Sequence, residues 1–291
     1  MYKLSNNTSM FISGLELSEA SFKCKHTIED KTKLSCNCLV GPGLFILGSY
    51  YPTRLTLYDT TEMKPVSHLD LQQGEGPYDV CLIPGDKVAV MCTWSNTIVI
   101  VSVKNNQLHR EHAIRINRRP VCMTGYTDDL FVVTVDKRTD QVSISRVTLT
   151  GDRHVLRVLP KRGKFDFYEY SMTTSKESEP KIYVSNSDRR DVLEVSLDGS
   201  TLRYISMSPT EGYIRINHVV SVGENILCLI SEGIQLILAD IKSEKTSTVM
   251  KQKTEQWRYK HLASVCPVTK TLLLYDIWDL VKHKIKVFKW K

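Results

Sequence analysis

Alternating hydrophobic and polar residues recur in short runs along most of the chain. They are clearest at 181–206, where KIYVSNS and DVLEVSL flank the turn DRR, and the dipeptide DG separates DVLEVSL from STLRYIS. Alternation with a period of two is typical of a β-strand with one buried face. Asp-Gly between two such runs is a strong signal for a hairpin. We therefore predict consecutive antiparallel strands in this segment.

The same group of runs recurs about every 45 residues along the sequence. A period of this length is typical of β-propellers, because a single blade is too small to bury its own hydrophobic faces. Six repeats predict an all-β fold, a six-bladed β-propeller of four-stranded antiparallel blades. The predicted first strands begin near Cys36, Tyr78, Pro120, Tyr168, Ile214 and Tyr259.

The last repeat lacks a fourth strand, since only three runs precede Lys291. A suitable run lies at 20–29, where Phe22, Cys24, His26 and Ile28 alternate with more polar residues. We expect this strand to pair with the run 284–290 and to close the ring, which would remove an exposed sheet edge. The predicted organisation is a polar extension at 1–19 and a single propeller domain at 20–291.

Composition and cysteine usage favour a cytoplasmic protein. The chain has 291 residues, of which 42% are hydrophobic, enough for one large core. Its hydrophobic runs have the length of strands, and residues 1–19 lack a continuous hydrophobic stretch, so we predict neither a membrane span nor a leader. All eight cysteines fall in strand patterns without a CxxC motif, which favours reduced thiols over disulfides or a zinc site.

The repeat at 181–205, KIYVSNSDRRDVLEVSLDGSTLRYI, resembles the NHL repeat. The segment GPYDVCLIPGDKVAVMC, followed by TIVIVSV, is similar to blades of the propellers at the C-termini of diverged invertebrate tripartite-motif proteins. The similarity covers most of 36–276. In the repeats other than those quoted, it is a similarity of pattern alone. It implies a recognition module for protein or single-stranded RNA. The sequence has no RING, B-box or coiled coil, so the ligase activity of that family is not implied.

A metal-dependent hydrolase or lyase is the alternative from a different class. His218 and His261 occupy equivalent starts of predicted inner strands, and Asp79 is equivalent in the second repeat. Two histidines and one carboxylate around a central channel are an incomplete ligand set, and no aligned base accompanies them. We therefore predict no catalytic residues, no metal and no cofactor.

The remaining functional signal is charge on one face. In a propeller, the loops between second and third strands and the loops between blades emerge on the same side. On that side we count 16 basic and 12 acidic residues, with the basic ones concentrated at the third and fourth repeats, and the chain has a net charge of +7. The candidate binding residues are Arg118, Arg119, Lys137, Arg138, Lys161, Arg162, Arg189, Arg190, Trp94, Tyr168, Trp257 and Tyr259.

These residue types fit two partners. Trp, Tyr and Arg are the preferred anchors of protein interfaces, so we predict a protein partner for a monomeric propeller. Aromatic residues among arginines also stack on bases, so single-stranded RNA bound to the same face is the alternative. A solvated charged rim above core aromatics is the interpretation without function.

Overall fold

The computed structural model describes the residues 22–30, 34–41, 43–136, 138–159, 170–175, 178–186, 191–200, 202–207, 216–222, 225–230, 235–240, 246–251, 262–266, 271–277 and 283–290. These residues form 24 strands in six four-stranded antiparallel sheets. Within this described part, no helix is long and hydrophobic enough to cross a membrane.

The described residues between 30 and 159 form one compact unit of three sheets. In each sheet the strands lie side by side in chain order. Sheet 1 contains β2 (Leu34–Gly41), β3 (Leu44–Tyr50), β4 (Thr53–Asp59) and β5 (Pro65–Asp70). Sheet 2 contains β6 (Asp79–Ile83), β7 (Lys87–Cys92), β8 (Thr97–Lys104) and β9 (Gln107–Arg115). Sheet 3 contains β10 (Arg119–Tyr126), β11 (Asp129–Asp136), β12 (Gln141–Thr148) and β13 (Arg153–Val158).

The described residues from 170 onward form a second compact unit with the N-terminal strand β1 (Phe22–Asp30). Sheet 4 contains β14 (Tyr170–Thr174), β15 (Lys181–Asn186), β16 (Asp191–Ser196) and β17 (Leu202–Ser206). Sheet 5 contains β18 (Ile216–Val222), β19 (Asn225–Ile230), β20 (Gln235–Asp240) and β21 (Thr246–Lys251). Sheet 6 has the order β1, β24 (His283–Trp290), β23 (Thr271–Ile277) and β22 (Leu262–Cys266).

The predicted repeat of four antiparallel strands is confirmed. The observed first strands begin within three residues of the predicted positions. The N-terminal strand lies beside β24 and completes sheet 6, as the alternation at 20–29 predicted. The predicted boundary between an extension at 1–19 and a single domain stays a prediction, since residues 1–19 lie outside the described part.

Burial in the first unit follows the order of strands. Every residue from Leu34 to Val40 in the first strand of sheet 1 is buried, whereas no residue of the fourth strand, β5, is. Sheet 2 is covered on both faces. Its β7 residues Val88 and Val90 pack in a cluster with sheet 1, and the intervening Ala89 packs in a cluster with sheet 3. This two-sided burial explains why β7 reads as a continuous hydrophobic run rather than an alternating one.

The cysteine prediction is confirmed for the six thiols that the structure describes. Cys36, Cys38, Cys92, Cys122 and Cys228 are buried and form no disulfide, and the same holds for Cys81, which is partly exposed. Burial raises the pKa of Cys92 to about 12. These thiols therefore act as small hydrophobic core residues.

Candidate functional site

The first strands of neighbouring sheets are joined by side-chain acceptors. One edge of each first strand has no partner in its own sheet, so its N–H groups need acceptors from elsewhere. Asp79 in β6 provides one: its Oδ2 accepts the N–H of Met123 in β10 at 2.9 Å, and its Oδ1 accepts the N–H of Val80 at 2.9 Å. Asp79 thus links sheet 2 to sheet 3.

His218 takes part in an equivalent link between sheets 4 and 5. Its Nδ1 lies 2.7 Å from Oγ of Ser171 in β14, and the same oxygen accepts the N–H of Val219 at 3.2 Å. Two residues further along both strands, Oγ1 of Thr173 accepts the N–H of Ser221 at 3.1 Å. His218 and its neighbours therefore connect two adjacent first strands.

The metal candidates from the sequence thus have structural contacts where the structure describes them. Asp79 and His218 both serve links between sheets, and His261 lies outside the described residues. In the described part of the chain, no group of three or more His, Cys, Asp or Glu residues could hold a metal ion. The absence of a metal and of catalysis stays a prediction.

Trp94 is the most informative residue of the predicted binding face. It lies in the turn between β7 and β8, and 64% of its surface is exposed. The guanidinium carbon of Arg119, at the start of β10, lies 5.6 Å from the centroid of its ring. A cation at this distance over an indole is attracted by the negative face of the ring. Trp94 and Arg119 therefore form one surface feature at the junction of sheets 2 and 3.

A glycine in the linker between sheets 1 and 2 fixes the base of this feature. A Cβ atom on Gly76 would lie 2.9 Å from Cδ1 of Tyr50 and 3.5 Å from Cδ1 of Trp94. A side chain at this position would therefore force the ring of Tyr50 to shift, whereas its distance to Trp94 would be an ordinary contact. The neighbouring Tyr51, in the turn between β3 and β4, is 74% exposed. Two strongly exposed aromatic residues therefore occur on the loops of this face.

The linker is held in place by a buried ion pair. Arg110 in β9 forms a two-pronged contact with Glu75, in which Nη1 donates to Oε2 and Nη2 donates to Oε1 at 2.9 Å. Oε2 of Glu75 also accepts the N–H of Gln72 at 3.0 Å. The side chain of Glu75 is only 7% exposed. These bonds, with that from Arg110 the strongest cause, lower the pKa of Glu75.

Arg118 and Arg138 are connected through Asp136 at the same edge of sheet 3. Nη2 of Arg118 lies 3.5 Å from Oδ2 of Asp136, whose Oδ1 accepts the backbone N–H of Arg138 at 2.9 Å. This N–H and then the charge of Arg118 lower the pKa of Asp136. The structure thus brings Trp94, Arg118, Arg119 and Arg138 to one edge of sheets 2 and 3.

The other predicted binding residues lie outside the described part of the chain. They are Lys137, Lys161, Arg162, Tyr168, Arg189, Arg190, Trp257 and Tyr259. Sequence reasoning missed the roles of Gly76 and of the Glu75–Arg110 pair, and the only signal for them was the unusual GEGPY stretch before β6.

No protein-family model matches the chain, and the comparison with curated proteins gives no match. Solved structures do resemble it. One is the Cps50 (Swd1) β-propeller domain of Myceliophteria thermophila, with a TM-score of 0.60 and 11% identity over 92% of this chain and 99% of that one. A structure described as a nidogen/laminin complex has a TM-score of 0.57 and 12% identity over 79% of this chain and 84% of that one. A streptogramin B lyase has a TM-score of 0.60 and 8% identity over 93% of this chain and 98% of that one.

At these identities the likeness concerns the fold alone. Together with the strand order, it shows an all-β propeller with four-stranded antiparallel blades. The resemblance to NHL repeats stays a prediction from the sequence pattern. The same fold occurs in a lyase and in a structure described as a protein complex, so the fold alone does not identify a function.

Proposed function

We propose that this propeller is a non-catalytic module that binds a protein partner through the face carrying Trp94 and Arg119. We further propose that its six blades form one closed ring, that its repeats are NHL-like, and that the protein is cytoplasmic. The observation that carries it is the 64% exposure of Trp94 with a guanidinium stacked on its ring. An exposed Trp held in one orientation loses little conformational entropy on binding and presents a large hydrophobic surface, which is why Trp and Arg are enriched among binding hot spots.

The partner we propose is an acidic segment with at least one hydrophobic side chain. Arg118, Arg119 and Arg138 lie at this edge; Asp136 lies 3.5 Å from Arg118 and accepts the backbone N–H of Arg138. A segment with Asp or Glu residues would be electrostatically complementary to these three arginines. A hydrophobic side chain would cover the exposed ring of Trp94.

Single-stranded RNA is the second candidate, since an exposed Trp beside arginines also suits stacking on a base. The two partners differ in their response to salt. Binding of a single strand weakens with a log-log slope of about 0.7 for each phosphate contacted. An interface centred on Trp94 would depend on salt much less.

The test compares Trp94→Ala and Arg119→Glu with a matched control, Leu82→Ala. Leu82 is also an exposed hydrophobic residue of sheet 2 (41%) but lies near the turn at the other end of the sheet. Partners retained by the unaltered protein are quantified by mass spectrometry, and binding of an oligouridine is measured by fluorescence anisotropy across salt concentrations.

We expect both face variants to weaken partner binding at least about tenfold, as for a hot-spot residue, and the control to have no effect. Unchanged binding in both face variants, with a loss in Leu82→Ala, would show that the opposite face is used. Oligouridine binding with a steep salt slope, lost in Trp94→Ala, would favour the RNA alternative.

A further inference from the structure

A second positively charged site lies between sheets 2 and 3, beneath the loops of the binding face. Its floor consists of three hydroxyl side chains that point from β11 and β12 into the packed interface between the sheets. Thr134, Ser143 and Ser145 are each fully buried, and Oγ1 of Thr134 lies 3.1 Å from Oγ of Ser143. Met91 of sheet 2 and Val132 of sheet 3 belong to the hydrophobic cluster that packs these two sheets together.

Two guanidinium groups bind different hydroxyls of this short row. Nη2 of Arg153, from β13, donates to Oγ1 of Thr134 at 3.2 Å and to Oγ of Ser145 at 3.0 Å, and its Nε donates to Ser145 at 3.1 Å. Nη1 of Arg118 donates to Oγ of Ser143 at 3.4 Å. Because Thr134 and Ser143 contact each other, both guanidiniums are held against one short row of hydroxyls.

The charge of Arg153 has no counter-ion among the described residues. Its hydrogen-bond acceptors there are hydroxyl oxygens, and its Nη1 donates to none of the residues that the structure describes. Asp136 is the carboxylate paired with Arg118, at a distance of 3.5 Å, and it also accepts the N–H of Arg138. Burial, followed by the charge of Arg118, lowers the pKa of Arg153. A half-buried cation beside a second cation is costly unless an anion compensates for it.

We propose that Arg153 and Arg118 form a binding site for a small oxoanion between sheets 2 and 3. The anion accepts hydrogen bonds from Nη1 of Arg153 and from Arg118, since guanidinium N–H groups form short, charge-assisted hydrogen bonds to the oxygens of phosphates and carboxylates. Either inorganic phosphate or a carboxylate supplied by a partner has this chemistry. The site does not depend on the binding function proposed for Trp94.

The probe is inorganic phosphate, with acetate as the model of a carboxylate, each compared with chloride at constant ionic strength and pH. A ligand that binds the folded chain raises the unfolding temperature, by about 2–4 °C at roughly ten times its Kd. Phosphate also stabilises proteins generally by exclusion from their surface. The readout is therefore the difference between unaltered protein and Arg153→Gln.

The matched control is Arg146→Gln, which removes a charge from β12 at a residue paired with Asp129. We expect the phosphate-dependent rise in the unaltered protein and in Arg146→Gln, and its loss in Arg153→Gln. A rise with acetate instead of phosphate would identify a carboxylate as the ligand. Equal rises in all three proteins, or none with either anion, would overturn the proposal.

If Arg153→Gln does not fold, Arg118→Gln replaces it with the same expected loss. Broadening of the phosphate signal in ³¹P NMR by the unaltered protein then gives a measurement that does not depend on stability. A retained rise in Arg118→Gln together with an unbroadened signal would equally overturn the proposal.

Discussion

The ion pair between Glu75 and Arg110 should stabilise the first unit far more than a neighbouring ion pair at the surface. Glu75→Gln keeps the size of the side chain and an acceptor for the N–H of Gln72, but removes the charge that faces Arg110. Breaking a fully buried pair costs about 3–5 kcal/mol, because one charge is left without compensation. Arg110 is 25% exposed and can regain some water, so we expect a loss of about 2 kcal/mol in the free energy of unfolding.

Glu111→Gln is the matched control for this substitution. Glu111 lies next to Arg110 in the same strand and pairs with Lys87 at 2.6 Å, with side-chain exposures of 23% and 32%. Pairs accessible to water contribute about 0–1 kcal/mol. Urea unfolding followed by circular dichroism measures both variants. Equal losses in Glu75→Gln and Glu111→Gln would refute the argument that burial of the pair decides its contribution.

The same pair should make stability depend on pH in a defined direction. Arg110 holds the pKa of Glu75 below its ordinary value of 4.5, so the folded state binds a proton less readily than the unfolded state. The contribution is therefore fully present above pH 4.5 and is lost as the pH falls through the lower pKa of the folded state. The gap in stability between unaltered protein and Glu75→Gln should shrink on acidification below that point. A gap that does not change with pH would contradict the assignment.

Two further predictions concern the link between sheets 2 and 3 and the strand β1 within sheet 6. Asp79→Asn should lose about 1–2 kcal/mol of unfolding free energy in urea, because the single amide oxygen cannot accept the N–H groups of both Val80 and Met123. The control Asp86→Asn, in an exposed turn, should lose none. Equal losses would show that Asp79 does not link the sheets. Deleting residues 1–30 should lower the melting temperature by about 5 °C or more, since β24 would lose its neighbour β1. Deleting residues 1–19 should leave the melting temperature unchanged. Identical melting temperatures for the two deletions would contradict the pairing.

The strands could be predicted because their signals are local. DVLEVSL alternates within seven residues and DG specifies the turn that follows, so each hairpin is visible in its own sequence. Even the pairing of β1 with β24 could be inferred, because the repeat lacked one strand at the end of the chain and had one extra at the start. The continuous hydrophobic run in β7 also predicts a strand. It does not alternate because sheet 2 is covered on both faces.

The site could be predicted only in part, because exposure depends on contacts distant in sequence. Tyr78 and Trp94 are both aromatic residues of the predicted face, yet Tyr78 is 6% exposed and Trp94 is 64% exposed. The role of Asp79 depends on Met123, which follows it by 44 residues (123 − 79). Nothing in the sequence around either residue indicates that contact. A candidate ligand for a metal and an acceptor for a neighbouring strand have the same local sequence.

The net charge of the binding face also depends on contacts between residues that are distant in sequence, and this affects the expected partner. The sequence-based charge of this face is the number of basic loop residues minus the number of acidic ones. Glu75 is one of those acidic residues and so lowers the charge expected to attract an acidic partner. In the structure, Glu75 is buried against Arg110, a strand residue that the loop count does not include. Its negative charge is therefore neutralised from within sheet 2 and does not reduce the potential outside the loops. The face around Trp94 is thus more positive than its sequence indicates, which strengthens the expectation of an acidic partner.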